Sequence, residues 1–131
     1  YYTKGFGAEY ERQNPDRTSP AANWLARLAP VGVTLQRTFL CDNPHPLGQK
    51  HRLDAVPGGD DDYARAHAEL HPVFRRLVEI AGYYDVFLVD ARGQVVYTVF
   101  KELDFATDLA DGPATGTGLA AVVQAAAAAE R

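Results

Sequence analysis

The chain has 131 residues, of which 47% are hydrophobic and 23% are charged, and its formal net charge at pH 7 is −4. These values are typical of one globular domain, residues 1–131. The chain lacks the basic stripe of nucleic-acid-binding proteins, so nucleic acid is not an expected partner. With one cysteine, Cys41, it can form no internal disulfide, and no apolar run approaches the roughly 18 residues of a membrane-spanning helix.

The first part of the chain, residues 1–59, is predicted to be a helical and loop lead-in. Ser19 followed by Pro20 is a favourable helix start, so the segment AANWLARL is expected to form a short helix. The next segment, VGVTLQRTFL, fits both a strand and a helix, and both remain open. Prolines and glycines then predict a loop over CDNPHPLGQKHRLDAVPGGDDD.

Residues 60–131 are predicted to be the core, a helix followed by a hairpin and a second helix. The first helix is expected over 61–81, kinked near Pro72 because proline lacks the amide of an interior turn. Gly82 ends it as a left-handed cap. Apolar residues recur there every three or four positions, as in an amphipathic helix that packs against the hairpin: Tyr63, Ala66, Leu70, Val73, Phe74, Leu77 and Ile80.

Two segments rich in aromatic and β-branched residues, YYDVFLV and VVYTVFK, predict an antiparallel hairpin with strands 83–90 and 94–101. The DARG sequence between them is suited to a tight turn. The alanine-rich LAAVVQAAAAAER predicts a final helix. The fold class is therefore α+β, although a lone two-stranded hairpin is marginally stable and the sequence offers no further convincing strand.

Catalysis is not indicated, because no paired carboxylates, no Ser/His/Asp set and no cofactor fingerprint occur. We therefore assign no catalytic residues and no cofactor. His67 and His71, in HAELH, have the spacing of metal ligands on a helix. However, Glu69 is not at the position that the zinc-protease motif requires, and no third ligand is evident nearby. Two histidines that face solvent or pack on a loop are the simpler interpretation.

Charged residues gather at the end of the second predicted strand, in FKELDF. We expect Lys101 or Asp104 to face a small polar ligand, with Tyr83, Tyr84 and Tyr97 forming walls. Asp85 stands among apolar neighbours, where a carboxylate either pairs with a cation or marks a site. The candidate ligand-binding residues are Tyr83, Asp85, Tyr97, Lys101 and Asp104. The alternative is an ordinary solvated strand end with a Lys–Asp pair.

Two stretches resemble the sensor region of bacterial transmembrane signalling proteins, which include methyl-accepting chemotaxis proteins, membrane-bound adenylate or guanylate cyclases and some sensor kinases. The first is DNPHPLGQKHRLDA and the second runs from YARAHAELHPVFRR to FKELDFATDLADGP, so the similarity covers roughly residues 35–123. The matching residues include Asn43, Pro44, Pro46, Gly48, Lys50, Tyr63, His67, His71, Pro72, Tyr83, Tyr84, Asp85, Tyr97, Lys101, Glu102 and Asp104.

The resemblance implies a Cache-like fold, in which a PAS-related antiparallel sheet packs with a long N-terminal helix on the periplasmic or extracellular face of the bacterial inner membrane. It also implies transmembrane helices that flank the domain outside this chain. In such domains the sheet continues beyond the last helix. We therefore expect the sheet of this chain to be truncated at Arg131.

The implied function is an extracytoplasmic sensor that has no catalysis of its own and signals to a cytoplasmic output domain by helix displacement. Its expected partners are an unidentified small-molecule ligand and a second copy of the chain. Two alternatives come from other classes. One is a small metal-binding protein or enzyme that uses His67 and His71. The other is a structural dimerisation module whose contacts are the alanine-rich tail and the tyrosine face of the sheet.

Overall fold

The structure is a computed structural model, and it describes residues 5–129. Over that range the elements are, in order, α1 (Gly7–Gln13), α2 (Ala21–Arg27), α3 (Pro30–Gln36), α4 (Asp62–Ala81), β1 (Phe87–Val89), β2 (Val95–Thr98) and α5 (Gly118–Ala129). A π-helical turn, Arg37–Cys41, follows α3, and a 3-10 turn, Lys50–Arg52, lies in the loop before α4. The mixture of helices with an antiparallel sheet confirms the α+β class at that level.

The segment that fitted both a strand and a helix is helical. Pro30 stands in the first turn of α3, where its missing N–H leaves no hydrogen bond unmade. Contacts with a later part of the chain fix this helix. Gly32 packs so closely that an added Cβ would lie 2.9 Å from the carbonyl oxygen of Ala106. Buried Gln36 donates a hydrogen bond to the carbonyl of Phe105 at 2.8 Å.

The lead-in shares its hydrophobic clusters with the C-terminal part of the chain. Phe6 and Tyr10 pack with Leu103 in one cluster. Phe39 packs with Phe105 in another, their ring centroids 6.0 Å apart. Because these contacts join segments far apart in sequence, the lead-in helps to position the segment that follows β2.

Helix α4 begins and ends where the sequence predicts. The side chain of Asp61 caps it by accepting a hydrogen bond from the amide of Ala64 at 2.8 Å. Gly82 ends it with φ of +68°, the left-handed conformation that glycine adopts without strain. Pro72 lies inside one continuous helix. A kink near this proline remains a prediction.

The face by which α4 packs differs from the prediction. Its buried residues are Ala64, His67, His71 and Val78. The apolar residues Leu70, Val73, Leu77 and Ile80 are instead 50%, 65%, 45% and 74% exposed. The helix therefore packs through a neighbouring face that carries the two histidines, and its most apolar stripe is left open.

The predicted hairpin is present, but its strands are shorter than 83–90 and 94–101. β1 pairs antiparallel with β2, and a bulge shifts the register between Leu88 and Val89. The turn before β2 is built as expected, since Asp90 accepts hydrogen bonds from two following amides and Gly93 adopts φ of +89°. Beyond Phe87 the amide of Val99 is shared between the carbonyl of Val86 and the carboxylate of Asp85, and the amide of Phe100 donates to that carboxylate, so regular pairing ends there.

The chain after β2 folds back along the sheet and covers part of its edge. The amide of Val95 donates to the carbonyl of Thr107, and the amide of Ala106 donates to the carbonyl of Val95. Helix α5 follows, and the hydroxyl of Thr117 accepts a hydrogen bond from the amide of Ala120 in its first turn. Among the helices of residues 5–129, none has the length and apolar character that spanning a bilayer requires.

Candidate functional site

A buried lysine, Lys101, connects the hairpin to α4. Its side chain is fully buried, and its backbone has φ of +53°, which is unusual for a residue other than glycine. The ammonium group lies 3.3 Å from the carbonyl oxygens of both Thr98 and Val99, and 3.3 Å from Nδ1 of His71. Burial lowers the pKa of Lys101 to about 7, against the opposing effect of Asp85.

The ring of His71 joins three parts of the chain. Its Nε2 lies 2.8 Å from the carbonyl oxygen of His51, which can only accept, so Nε2 carries the proton. Nδ1 therefore accepts, and the hydroxyl of Tyr97 donates to it at 2.6 Å. Burial, and then the charge of Lys101, lower the pKa of His71 to about 4, so this imidazole is neutral at physiological pH.

His67 stacks on His71, with ring centroids 4.4 Å apart and planes inclined by 18°. Its Nδ1 lies 3.2 Å from the carbonyl oxygen of Asp54, whereas its buried Nε2 has no hydrogen-bond partner among residues 5–129. Burial lowers the pKa of His67 to about 3. The two histidines pack on the loop before α4. A solvent-facing position, the other half of the simpler interpretation, is wrong.

The metal alternative gains no support from this geometry. Both ring nitrogens of His71 are already engaged, by a carbonyl oxygen and by the hydroxyl of Tyr97. Over the part of the chain that the structure describes, no group of three or more His, Cys, Asp or Glu side chains is arranged to hold a metal ion. A metal-binding role for His67 and His71 therefore remains an untested alternative.

Asp85 organises the backbone at the end of the hairpin. Its Oδ1 accepts hydrogen bonds from the amides of Val99 at 2.9 Å and Phe100 at 3.3 Å. Burial raises the pKa of Asp85, while these amides and the charge of Lys101 act in the opposite direction. Asp85 therefore shapes the chain that leads into Lys101 and provides partial charge compensation for it.

An open cavity of about 550 Å³ lies beside the segment that follows Lys101. Glu102 and Asp104 line it, together with Arg17, the C-terminal end of α1 and the loop 113–117. Oδ1 of Asp104 is buried and has no hydrogen-bond partner within residues 5–129. Burial, followed by the charges of Asp85 and Glu102, raises the pKa of Asp104 to about 7. The cavity is therefore lined by two carboxyl groups, and one buried carboxyl oxygen in it has no hydrogen-bond partner among the described residues.

The five predicted site residues fall into different surroundings. Tyr97 and Lys101 lie together in the buried cluster, with the lysine nitrogen 5.1 Å from the centre of the tyrosine ring. Asp85 binds backbone amides, Asp104 lines the cavity, and Tyr83 is 57% exposed. That Tyr83, Tyr84 and Tyr97 form walls of a ligand site remains a prediction.

The sequence analysis missed two contributions to these sites. His71 is an acceptor at the centre of the buried cluster, and Arg17 lines the cavity from the lead-in. His71 is among the residues of the sensor resemblance, which was a usable signal. Arg17 stands in a polar segment without any pattern, and only the fold brings it to the cavity that Asp104 also lines.

Comparisons with protein-family models, with curated proteins and with solved structures returned no match for this chain. The sensor resemblance therefore rests on the quoted residues. Some of these residues contact one another. The side chain of Asn43 donates to the carbonyl of Lys50 at 3.1 Å, and the ammonium of Lys50 donates to the carbonyl of Asn43 at 2.9 Å. His71, Tyr97 and Lys101 form the second such group.

Proposed function

We propose that this chain is the ligand-sensing module of a bacterial transmembrane receptor. In this proposal it is a Cache/PAS-like domain on the periplasmic or extracellular face of the inner membrane, and the parent protein is anchored by segments outside this chain. It has no catalysis of its own. Support comes from the quoted sequence resemblance and from a fold in which a cavity and a long helix are joined by a short chain segment.

The observation that carries the proposal is the acidic cavity at Glu102 and Asp104, next in sequence to the buried Lys101. An unpaired, mostly buried carboxylate is costly unless a partner arrives. A small molecule with an ammonium or guanidinium group would supply that partner. Among small molecules, the lining therefore favours a cationic ligand of a size that fits about 550 Å³.

The proposed signal passes from the cavity to α4. A ligand that pairs with Asp104 changes the position or charge of the segment 102–104, and Lys101 at its start is hydrogen-bonded to His71 on α4. A ligand shifts the equilibrium between two positions of α4 only if it binds the protein more tightly in one of them than in the other. In this proposal α4 is the element that moves, and its displacement is what an output domain would detect.

A thermal-shift screen tests the proposal. The full chain is heated with a panel of amino acids, linear polyamines and quaternary amines, and in parallel with a panel of organic acids. We expect at least one cationic compound to raise the melting temperature by several degrees. Asp104→Asn and Glu102→Gln should lose this response.

Asp111→Asn is the matched control, because Asp111 is an exposed carboxylate outside the cavity. It should respond as the wild-type protein does. A response that survives in Asp104→Asn, or a response to organic acids alone, would place the ligand elsewhere and reject the cavity. Stabilisation by no compound in either panel would count against a sensing role for this chain.

A further inference from the structure

The exposed stripe of α4 has the spacing of a coiled-coil seam. Intervals of three and four residues alternate without interruption along Tyr63, Ala66, Leu70, Val73, Leu77 and Ile80. This is the pattern by which one helix packs against another, since each such residue lies on the same side of the helix. Four of the six are at least 45% exposed, so the seam has no partner within residues 5–129.

The hairpin extends this apolar surface on one side. A groove of about 280 Å³ runs between α4 and the hairpin. Tyr63, Ala66 and Leu70 line it on the helix, and Leu88 and Val96 line it on the hairpin. Leu88 and Val96 are 40% and 39% exposed. Ala66, which has the smallest side chain of the seam, lines this groove and leaves space there for a side chain of a partner.

Charges flank the seam on the other side. Glu69 and Arg76 are exposed, stand one residue before Leu70 and Leu77, and form no ion pair within the described range of the chain. If a second α4 runs antiparallel with its Val73 opposite Leu70, Glu69 and the partner's Arg76 flank the seam on the same side, two residues or about 3 Å out of strict register, and their long side chains can meet. Twofold symmetry then creates the same pair a second time. In a parallel pairing Glu69 would face the partner's Phe74, and no opposite charges would meet.

The same antiparallel register also fills the groove. It places the partner's Leu77 opposite Ala66 and the partner's Ile80 opposite Tyr63. Ile80 is 74% exposed, a larger exposed fraction than that of Leu70, Val73 or Leu77. A parallel pairing would instead place Ala66 opposite the partner's Ala66 and leave the groove open. Charge and shape therefore select the same orientation.

We propose that the exposed face of α4 and the adjoining hairpin surface bind a second copy of this chain, with the two α4 helices antiparallel. The inference stands apart from the sensing proposal, because it uses none of the cavity residues. The proposed dimer is compatible with a membrane-anchored parent when its twofold axis runs along the membrane normal, because the equivalent ends of both copies then lie at the same distance from the membrane.

Sedimentation equilibrium of the full chain tests the association and the charge pairing together. We expect a dimer whose dissociation constant rises about tenfold or more in Glu69→Arg and in Arg76→Glu. The double variant Glu69→Arg/Arg76→Glu restores opposite charges and should recover the wild-type constant. Arg65→Glu makes the same charge change on α4 away from the seam and should leave association unchanged.

Disulfide trapping in a Cys41→Ser background tests the orientation. A mixture of Ala66→Cys and Leu77→Cys proteins should give the mixed cross-linked dimer. Leu77→Cys alone should not cross-link. In the antiparallel register its two copies lie eleven residues apart, or about 16 Å along the helix, and a disulfide needs Cα atoms within about 7 Å.

Each result decides the proposal. A monomer at every accessible concentration overturns it, as does a dimer that is insensitive to both Glu69→Arg and Val73→Glu. Ready cross-linking of Leu77→Cys with itself shows a parallel pair and overturns the orientation. Circular dichroism confirms that each variant is folded. The substituted seam positions Val73 and Leu77 are 65% and 45% exposed, so their replacement opens no core.

Discussion

At the scale of single residues, the burial of Lys101 has a large electrostatic consequence. It is fully buried, and its hydrogen bonds go to two carbonyl oxygens and to the imidazole of His71. Burial lowers its pKa from 10.5 to about 7. The folded protein therefore releases this proton near neutrality, whereas the unfolded chain holds it until the solution is strongly alkaline.

This difference predicts that stability rises with pH above neutrality. Between about pH 7 and 10 the unfolded state binds one proton more than the folded state, so the free energy of unfolding gains up to ~1.4 kcal/mol per pH unit from Lys101. Lys101→Met should lack that component. Urea unfolding at a series of pH values from 6 to 10 measures it, and equal slopes for both proteins would show that the lysine is not buried as described.

His67 and His71 predict a loss of stability in acid. Their pKa values fall from 6.5 to about 3 and about 4, so the unfolded chain binds more protons as pH drops below 6.5. Asp104, whose pKa is raised, acts in the opposite direction over the same range. His67→Phe isolates one histidine. We expect the proton uptake on unfolding near pH 5 to be about one proton smaller in this variant than in the wild-type protein.

Asp104 predicts a gain in stability when it is neutralised. Its pKa is raised from 3.8 to about 7, so above pH 7 the folded state carries a carboxylate that the unfolded chain ionises more easily. In the absence of ligand at pH 8, the free energy of unfolding of Asp104→Asn should exceed that of the wild-type protein by up to ~4 kcal/mol. Urea unfolding measures this difference. The two proteins should converge toward pH 4. A destabilised Asp104→Asn at pH 8 would mean that the carboxylate already has a partner.

At the scale of elements, Asp85 links the hairpin end to the segment that enters the cavity. Removing its carboxylate leaves the amide of Phe100 without its acceptor, whereas the amide of Val99 keeps the carbonyl of Val86, and an unsatisfied buried amide costs about 1–3 kcal/mol. Asp85→Ala should lose that much in the free energy of unfolding. Asp85→Asn keeps one oxygen acceptor and should lose less. Equal losses in the two variants would assign the effect to charge instead of hydrogen bonding.

The elements that the sequence predicts well are those defined by local signals. Helix α4 is bounded by the carboxylate of Asp61 and by the left-handed Gly82, and both act on their immediate neighbours. The strand lengths could not be predicted in the same way. The hydrogen bonds that Asp85 accepts from amides 14 and 15 residues later depend on how the hairpin closes, and no local pattern encodes them.

The packing face of α4 was not predictable for a related reason. Its apolar seam and its buried histidine face lie side by side on the helix, and periodicity alone favours the more apolar of the two. The histidine face is buried because the loop before α4 supplies carbonyl oxygens to both rings, from Asp54 to His67 and from His51 to His71. Tertiary contacts therefore determine which face of α4 is buried.

At the scale of the whole molecule, the cavity is assembled from three separate parts of the chain. The end of α1, the segment around Asp104 and the loop 113–117 meet there, held by the cluster in which Phe6 and Tyr10 pack on Leu103. Asp104 was predicted as a site residue from the sequence, but no sequence signal indicated that the lead-in would line the same cavity. Composition patterns do not encode such long-range assembly.

In the proposed function a cationic small molecule binds beside Asp104 and α4 responds through Lys101 and His71. The most direct measurement is a titration of the ¹⁵N-labelled full chain with the amines of the thermal-shift panel, followed by NMR at the backbone amides and at the His71 ring nitrogens. We expect shifts first at residues 102–104 and at His71, both absent in Asp104→Asn. Shifts confined to other surfaces, or none at His71 when 102–104 respond, would contradict it.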